Sequence, residues 1–232
     1  MPILPAFALI TVGGIFELMI PAIAERKGRT PWHPHHIAER YFLLTIIALG
    51  EVLVGTVTTL SSDVEANGWS FGTALCGFGG VAITFGLWWA YGLLPSGEIL
   101  ASRTDNSYLW GYLHIVLFGS VAATGAGLHV AAYYLAGEAS IPEWLAVLAV
   151  AVPVAVFLIT IVVIYNVLLP ADVPHILRTL AVMVLLGVAV WLATFGVPVS
   201  WCIVVIALVP AVLIIDEVSG ADDWIDRLQQ LT

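Results

Sequence analysis

This chain predicts a bundle of membrane-spanning α-helices, on three observations. Hydrophobic residues make up 61% of its 232 residues and charged ones 10%, against about 25% charged in a soluble domain. The apolar residues run in stretches of about 20, the length that crosses a ~30 Å hydrocarbon core. The seven Lys and Arg residues lie beside alternate stretches, as they do in cytoplasmic loops. The expectation is an all-α, polytopic bundle of about seven spans. Its N-terminus lies outside and its C-terminus in the cytoplasm.

The first span is Pro2–Ile23, interrupted only by Glu17. No basic segment precedes it, so it reads as a span and not a signal peptide. The second is Tyr41–Leu60, interrupted only by Glu51. The third lies in Trp69–Leu94, the fourth in Tyr108–Leu135, and the fifth in Trp144–Leu169 with a kink expected at Pro153. Arg178 and Asp216 then bracket an uncharged run too long for one helix in a ~30 Å core. Gly196 and Pro198 are the natural break, which gives spans Ile176–Phe195 and Val199–Ile215. Residues 1–215 thus form the bundle. Residues 216–232 form an acidic cytoplasmic tail, with Trp224, Ile225, Leu228 and Leu231 on one face of a short amphipathic helix.

Arg26, Lys27, Arg29, Arg40, Arg103, Arg178 and Arg227 all fall on one side of this count. The opposite loops hold Asp63, Glu65, Glu138 and Glu143. Gly119, Ala123 and Gly127, and likewise Gly72, Cys76 and Gly80, recur every four residues and are expected at close helix contacts. Trp32, Trp69, Trp110, Trp144 and Trp201 lie near span ends and read as interfacial anchors.

Composition also excludes functions. A net charge of −9 argues against nucleic acid. Cys76 and Cys202 lie in apolar runs and read as small packing residues. The sequence has no Gly-rich phosphate loop, nucleophile elbow or HExxH motif, so neither an enzyme nor a cofactor is assigned. His33, His35 and His36 with Glu39 contain metal-ligating side chains. Pro34 splits the group and a basic juxtamembrane loop explains the same residues, so no metal site is assigned.

The candidate functional residues are Glu51, His114, Glu17, His36, Glu39 and Arg40. A carboxylate at mid-membrane depth faces protein or water, because hydrocarbon does not solvate it. Glu51 is therefore expected to face the bundle interior. It shares a helical stripe with Arg40, Leu44, Ile47, Gly55 and Thr58, and His114 is its expected partner. Two readings stay open for Glu51: a proton or cation site, or a protonated hydrogen-bonder that locks the bundle. Glu17 and His114 carry the same pair of readings.

The run Trp32-His-Pro-His-His-Ile-Ala-Glu-Arg-Tyr-Phe-Leu-Leu-Thr-Ile-Ile-Ala-Leu-Gly-Glu51 resembles the bacterial low temperature requirement A family. Its mark is His-x-x-Glu-Arg followed by an aliphatic run ending in Leu-Gly-Glu, here His36, Glu39, Arg40, Leu49, Gly50 and Glu51. Trp88-Trp89-Ala-Tyr91, Tyr112-Leu-His114, Gly119 and the small residues up to Gly127 extend the similarity. The early Glu-Leu-Phe-Phe-Asp-Leu motif of longer members is missing, so the chain resembles the later part of the family's length. The resemblance implies a multi-pass protein of the prokaryotic cell membrane linked to growth in the cold.

The leading functional expectation is a proton- or cation-coupled transporter or channel. Glu51 would hold the ion, His114 would share its proton, and Glu39 with Arg40 would gate the cytoplasmic end. The alternative is a non-transporting membrane scaffold or stress protein needed for growth in the cold. The expected partners are membrane lipids and a proton or small cation. A homo-oligomer, or companion helices from a missing N-terminal half, would complete the assembly.

Overall fold

The computed structural model describes residues 3–24, 33–102, 107–168 and 173–219. They form eight helices: α1 (Ile3–Ala24), α2 (Pro34–Asn67), α3 (Phe71–Gly92), α4 (Ser96–Ser102), α5 (Ser107–Leu135), α6 (Glu143–Leu168), α7 (Val173–Thr194) and α8 (Val199–Ser219). The seven long helices coincide with the seven apolar stretches of the sequence. Among the described residues, four segments are long and apolar enough to cross a membrane: Pro34–Asn67, Phe71–Glu98, Ser107–Leu135 and Glu143–Ile164. Pro5–Pro21, Thr179–Thr194 and Val199–Ile215 are shorter apolar helices.

The chain divides into two units, Met1–His33 and Pro34–Thr232. In the first, α1 is apolar apart from Thr11 and Glu17. The Thr11 hydroxyl donates to the Phe7 carbonyl at 2.8 Å, which satisfies this polar group within its own helix. Pro21 lies in its last turns.

In the second unit the long helices close a ring. Helix α2 packs on α3 and α5, α5 on α6, α6 on α7, α7 on α8, and α8 on α3. Helix α6 also touches α8 across the ring. The interior is aliphatic, with Val52, Ile83, Leu87, Leu117, Val121, Val154, Phe157 and Ile203 fully buried. The outward faces are apolar too: Ile47 is 72% exposed and Phe78 66%. A helix apolar on all sides is buried in a large core or in lipid.

Local chemistry sets the ends. Pro34 opens α2, where its missing N–H costs nothing. Ser70 caps α3, its side chain accepting from the Thr73 N–H at 3.1 Å. Gly196 has φ +78 and ends α7. The Gly196 N–H donates to Ala193 and the Val197 N–H to Leu192, so two free carbonyls of the last turn are satisfied. The break expected at Gly196 and Pro198 is therefore present. Glu143 joins the starts of α6 and α8, its carboxylate accepting from the Val199 N–H at 3.0 Å.

Several expectations are corrected. Helix α2 extends well past Leu60, so Asp63 and Glu65 lie on a helix and not in a loop. Trp110 is only 1% exposed and belongs to the core, while Trp69, Trp144 and Trp201 are exposed. Gly119 and Ala123 are exposed, with nothing within 4 Å of a Cβ placed on Gly119. Only Gly127 of that stripe is at a tight contact, against the backbone of Ala149 on α6. Gly125, two residues away, makes the other close contact. A Cβ there would lie 2.7 Å from the Glu51 carbonyl oxygen on α2. The small side of α5 is thus divided between two neighbours. The α3 stripe fares better: Cys76 is buried and Gly80 lies against Thr56 of α2. Trp32, Arg26, Lys27, Arg29, Arg103, Arg227 and the tail from 220 onward lie outside the described residues.

Candidate functional site

His114 is 1% exposed, inside the α2–α3–α5 contact. Its Nδ1 lies 2.7 Å from the Trp110 carbonyl oxygen, one turn earlier on α5. A carbonyl only accepts, so Nδ1 carries the proton. In neutral imidazole Nε2 then accepts, and the Tyr91 hydroxyl of α3 donates to it at 2.8 Å. One tautomer is thereby fixed by a helix carbonyl on one side and a phenol on the other.

Aromatic rings enclose this pair. The centroid of Trp110 is 4.2 Å from that of His114, Tyr41 is 4.7 Å away, Tyr91 5.6 Å and Phe118 5.7 Å. Tyr41 meets His114 edge-on, with 75° between the rings, a favoured arrangement for π-systems. Thr45 is buried beside them and donates to the Tyr41 carbonyl at 2.9 Å. Trp110 Nε1 is buried without a hydrogen-bond acceptor among the described residues. The cluster therefore combines a proton-carrying imidazole, two phenols and an indole N–H in one water-poor volume.

Glu51 is placed differently from expectation. Arg40, Leu44, Ile47 and Glu51 share a face of α2 as the spacing predicts, and that face is exposed. Gly55 and Thr58, further along the stripe, turn inward to buried and half-buried positions. The Glu51 stem passes Gly125, where a Cβ would lie 3.0 Å from its Cγ. The residue as a whole is exposed. The expected Glu51–His114 pair is not made, because both imidazole nitrogens face other groups. Gly125 marks the Glu51 level on α5, and it is eleven residues from His114, about 16 Å along a helix.

At the start of α2, His36 Nδ1 lies 3.9 Å from Glu39 Oε2, one helical turn apart. Both side chains are mostly exposed, so the pair is worth little energetically. Arg40 is exposed beside them. Glu17 lies on α1, in the other unit. His129 bonds the Gly125 carbonyl at 2.9 Å through Nδ1.

The sequence reading missed Asp63. It is 6% exposed. Thr73 Oγ1 donates to its Oδ2 at 2.5 Å and Asn67 Nδ2 to its Oδ1 at 2.9 Å. Asn67 Nδ2 also reaches the Leu135 carbonyl at 3.1 Å, and Ser70 Oγ lies 2.8 Å from Thr73 Oγ1. The Thr73 proton is committed to Asp63, so Ser70 donates to Thr73. The ends of α2 and α3 meet on the carboxylate, and the end of α5 joins them through Asn67. Two spacings mark the place in the sequence: Asp63-x-x-x-Asn67, one helical turn, and Ser70-x-x-Thr73, the pattern of a capped start.

The family model for Bacterial low temperature requirement A protein (LtrA) matches residues 1–210. Comparison with curated proteins and with solved structures finds no match.

Proposed function

We propose, from the premise that the chain belongs to the bacterial low temperature requirement A family, that this integral membrane protein crosses the prokaryotic cell membrane seven times and moves a proton or small cation. The N-terminus lies outside and the C-terminus in the cytoplasm, following the one-sided distribution of basic residues in the sequence. The observation that carries the transport reading is His114. It is a titratable side chain enclosed in an apolar bundle, with a proton acceptor at one ring nitrogen and a hydroxyl donor at the other. Such a group takes up a proton on one side and releases it on the other when its neighbours turn.

Ionisable groups stand at three levels along α2 and α5. His36, Glu39 and Arg40 occupy the start of α2 and act as the cytoplasmic gate. His114 comes next. Glu51 lies further along, on the outer flank, and binds the ion. An ionised carboxylate facing hydrocarbon costs several kcal/mol. Ion binding removes that cost in part of the working cycle. The two groups act in sequence at separate depths, without a direct contact.

One observation favours the scaffold reading. The helices cross at backbone contact at Gly125 and Gly127, and such tight packing resists opening. Proton flux into proteoliposomes decides between them. Transport expects Glu51→Gln and His114→Gln to fold normally and lose pH-driven flux. Folded variants with wild-type flux, or no flux in the wild type, leave the scaffold. Cysteines introduced singly at Ser62 and Ser219 test the topology, in a background lacking Cys76 and Cys202. Labelling of both from one side of the membrane would refute the odd span count.

A further inference from the structure

We propose that Asp63, Asn67, Ser70 and Thr73, with the carbonyl of Leu135, bind a monovalent hard cation of the sodium class where α2, α3 and α5 end together. The site goes beyond the transport reading, and binding there is measurable whether or not the protein moves anything.

Among the described residues, the buried Asp63 carboxylate meets no basic side chain. Asp63 is 6% exposed, and two neutral donors, Thr73 and Asn67, approach it. An ionised carboxylate offers about four acceptor positions, so its two oxygens retain free lone pairs. A buried carboxylate is normally paired with a positive group. No fixed cation is available from the helices around it. The sequence holds no Lys or Arg from 41 to 102 or from 104 to 177. That leaves α3, α5 and α6 without one, and α2 without one beyond Arg40. The last histidine of α5, His129, has turned its Nδ1 to the Gly125 carbonyl.

The donor set suits a small hard cation. Apart from the Asn67 amide nitrogen, the side-chain and helix-end carbonyl atoms joined by these hydrogen bonds are oxygens: two hydroxyls, the Leu135 carbonyl and the carboxylate itself, with the Cys76 thiol nearby but outside the set. Asn67 adds its own amide oxygen when the amide turns over, an orientation set by the surrounding bonds. Oxygen-only sets select alkali and alkaline-earth ions over transition metals. One carboxylate matches one positive charge, whereas calcium sites gain affinity by adding carboxylates. Helix geometry contributes as well. Asn67 and Leu135 are the last residues of α2 and α5, and helix C-termini attract cations. The N-terminus of α3 opposes them, but its Thr73 N–H is already taken by Ser70.

The cation would replace the Thr73 hydroxyl proton on Asp63 Oδ2. Thr73 and Ser70 would rotate their O–H bonds away and present lone pairs, with no bond broken in the backbone. Occupancy then tightens the junction of three helices, and the folded state gains by mass action.

Thermal unfolding of the full chain in detergent tests this, in NaCl, KCl, CaCl2 and choline chloride at matched ionic strength. The expected result is a Tm that rises by several degrees with NaCl and saturates, with no such rise in choline chloride. Asp63→Asn keeps the shape and should abolish the sodium-specific rise. Glu65→Gln, which removes an exposed charge on the same helix, should keep it. Equilibrium binding of radioactive sodium to wild type and Thr73→Val provides a second measurement if Asp63→Asn does not fold. Weaker binding in Thr73→Val supports the site. A wild-type Tm indifferent to sodium overturns the proposal, as does a sodium-specific rise that survives in Asp63→Asn. Stabilisation by calcium alone overturns the monovalent assignment.

Discussion

Glu51 and Asp63 are two carboxylates on one helix, and the fold treats them in opposite ways. Glu51 lies towards the middle of α2 yet is exposed along its outer flank. Asp63 lies in the last two turns yet is buried and hydrogen-bonded from two sides. Twelve residues separate them, about 120° around a helix of 3.6 residues per turn. Depth along a span therefore does not decide burial. Direction around the axis does, together with what the neighbouring helices bring to that side. Helix α5 brings Gly125 to the Glu51 level, so the two backbones close there and the Glu51 side chain is pushed past the contact. At the Asp63 level α3 begins, and its capping residues turn inward to meet the carboxylate.

The largest expected effect comes from the contact that sends Glu51 outward. Gly125→Ala places a carbon against the Glu51 carbonyl, so α2 and α5 must separate. The expected cost is about 3 kcal/mol, at the upper end for overpacking. Gly119→Ala, on the open side of α5, should cost nothing measurable. Thermal unfolding in detergent compares the two, and equal effects would mean that the α2–α5 crossing is not set at Gly125.

Asp63→Ala comes next. It leaves the Thr73 hydroxyl and the Asn67 amide without their buried acceptor, at an expected cost of about 2 kcal/mol. The same substitution at Glu51 removes no bond seen among the described residues. A denaturation series that ranks Glu51→Ala above Asp63→Ala would reverse the assignment of the two carboxylates.

Tyr91→Phe removes the hydroxyl that donates to His114 and that also interacts with the Thr45 side chain. The expected loss is about 1 kcal/mol, with near-ultraviolet circular dichroism reporting the disturbed aromatic cluster. In the transport reading it also slows proton flux, because His114 loses its hydroxyl neighbour. Unchanged flux with the expected stability loss would confine His114 to packing.

The smallest effect is expected for Glu51→Gln, which should leave Tm unchanged because its side chain is exposed and makes no described bond. A Tm shift comparable to that of Asp63→Ala would mean that Glu51 is covered by a partner in the membrane, a second copy or a companion helix.

Much of the bundle is legible in the residues alone. Seven apolar stretches correspond to seven long helices, since in lipid a stretch of that length satisfies its backbone only as a helix. Gly196 ends α7 because a left-handed turn there suits a residue without a Cβ. The His36, Glu39, Arg40 and Leu49-Gly-Glu51 pattern pointed to the family whose model matches residues 1–210. The site was less legible. Trp110 reads as an interfacial anchor by its place near a span end and turns out to fill the core. Of the small-residue stripe of α5 only Gly127 meets a neighbour closely, because Gly125 and Gly127, two residues apart, serve different helices.

The sequence by itself determined that the chain is helical and apolar, where its long helices lie, and that its carboxylates are few. These follow from period, length and charge, which are properties of each segment alone. Tertiary structure decided which side of each helix faces inward. It placed Asp63 at a junction of α2, α3 and α5, fixed the His114 tautomer between Trp110 and Tyr91, and left Glu51 on a flank. In water the polar side of a helix shows which way it faces. A helix apolar all round carries no such mark, so only the packing of its neighbours reveals its orientation.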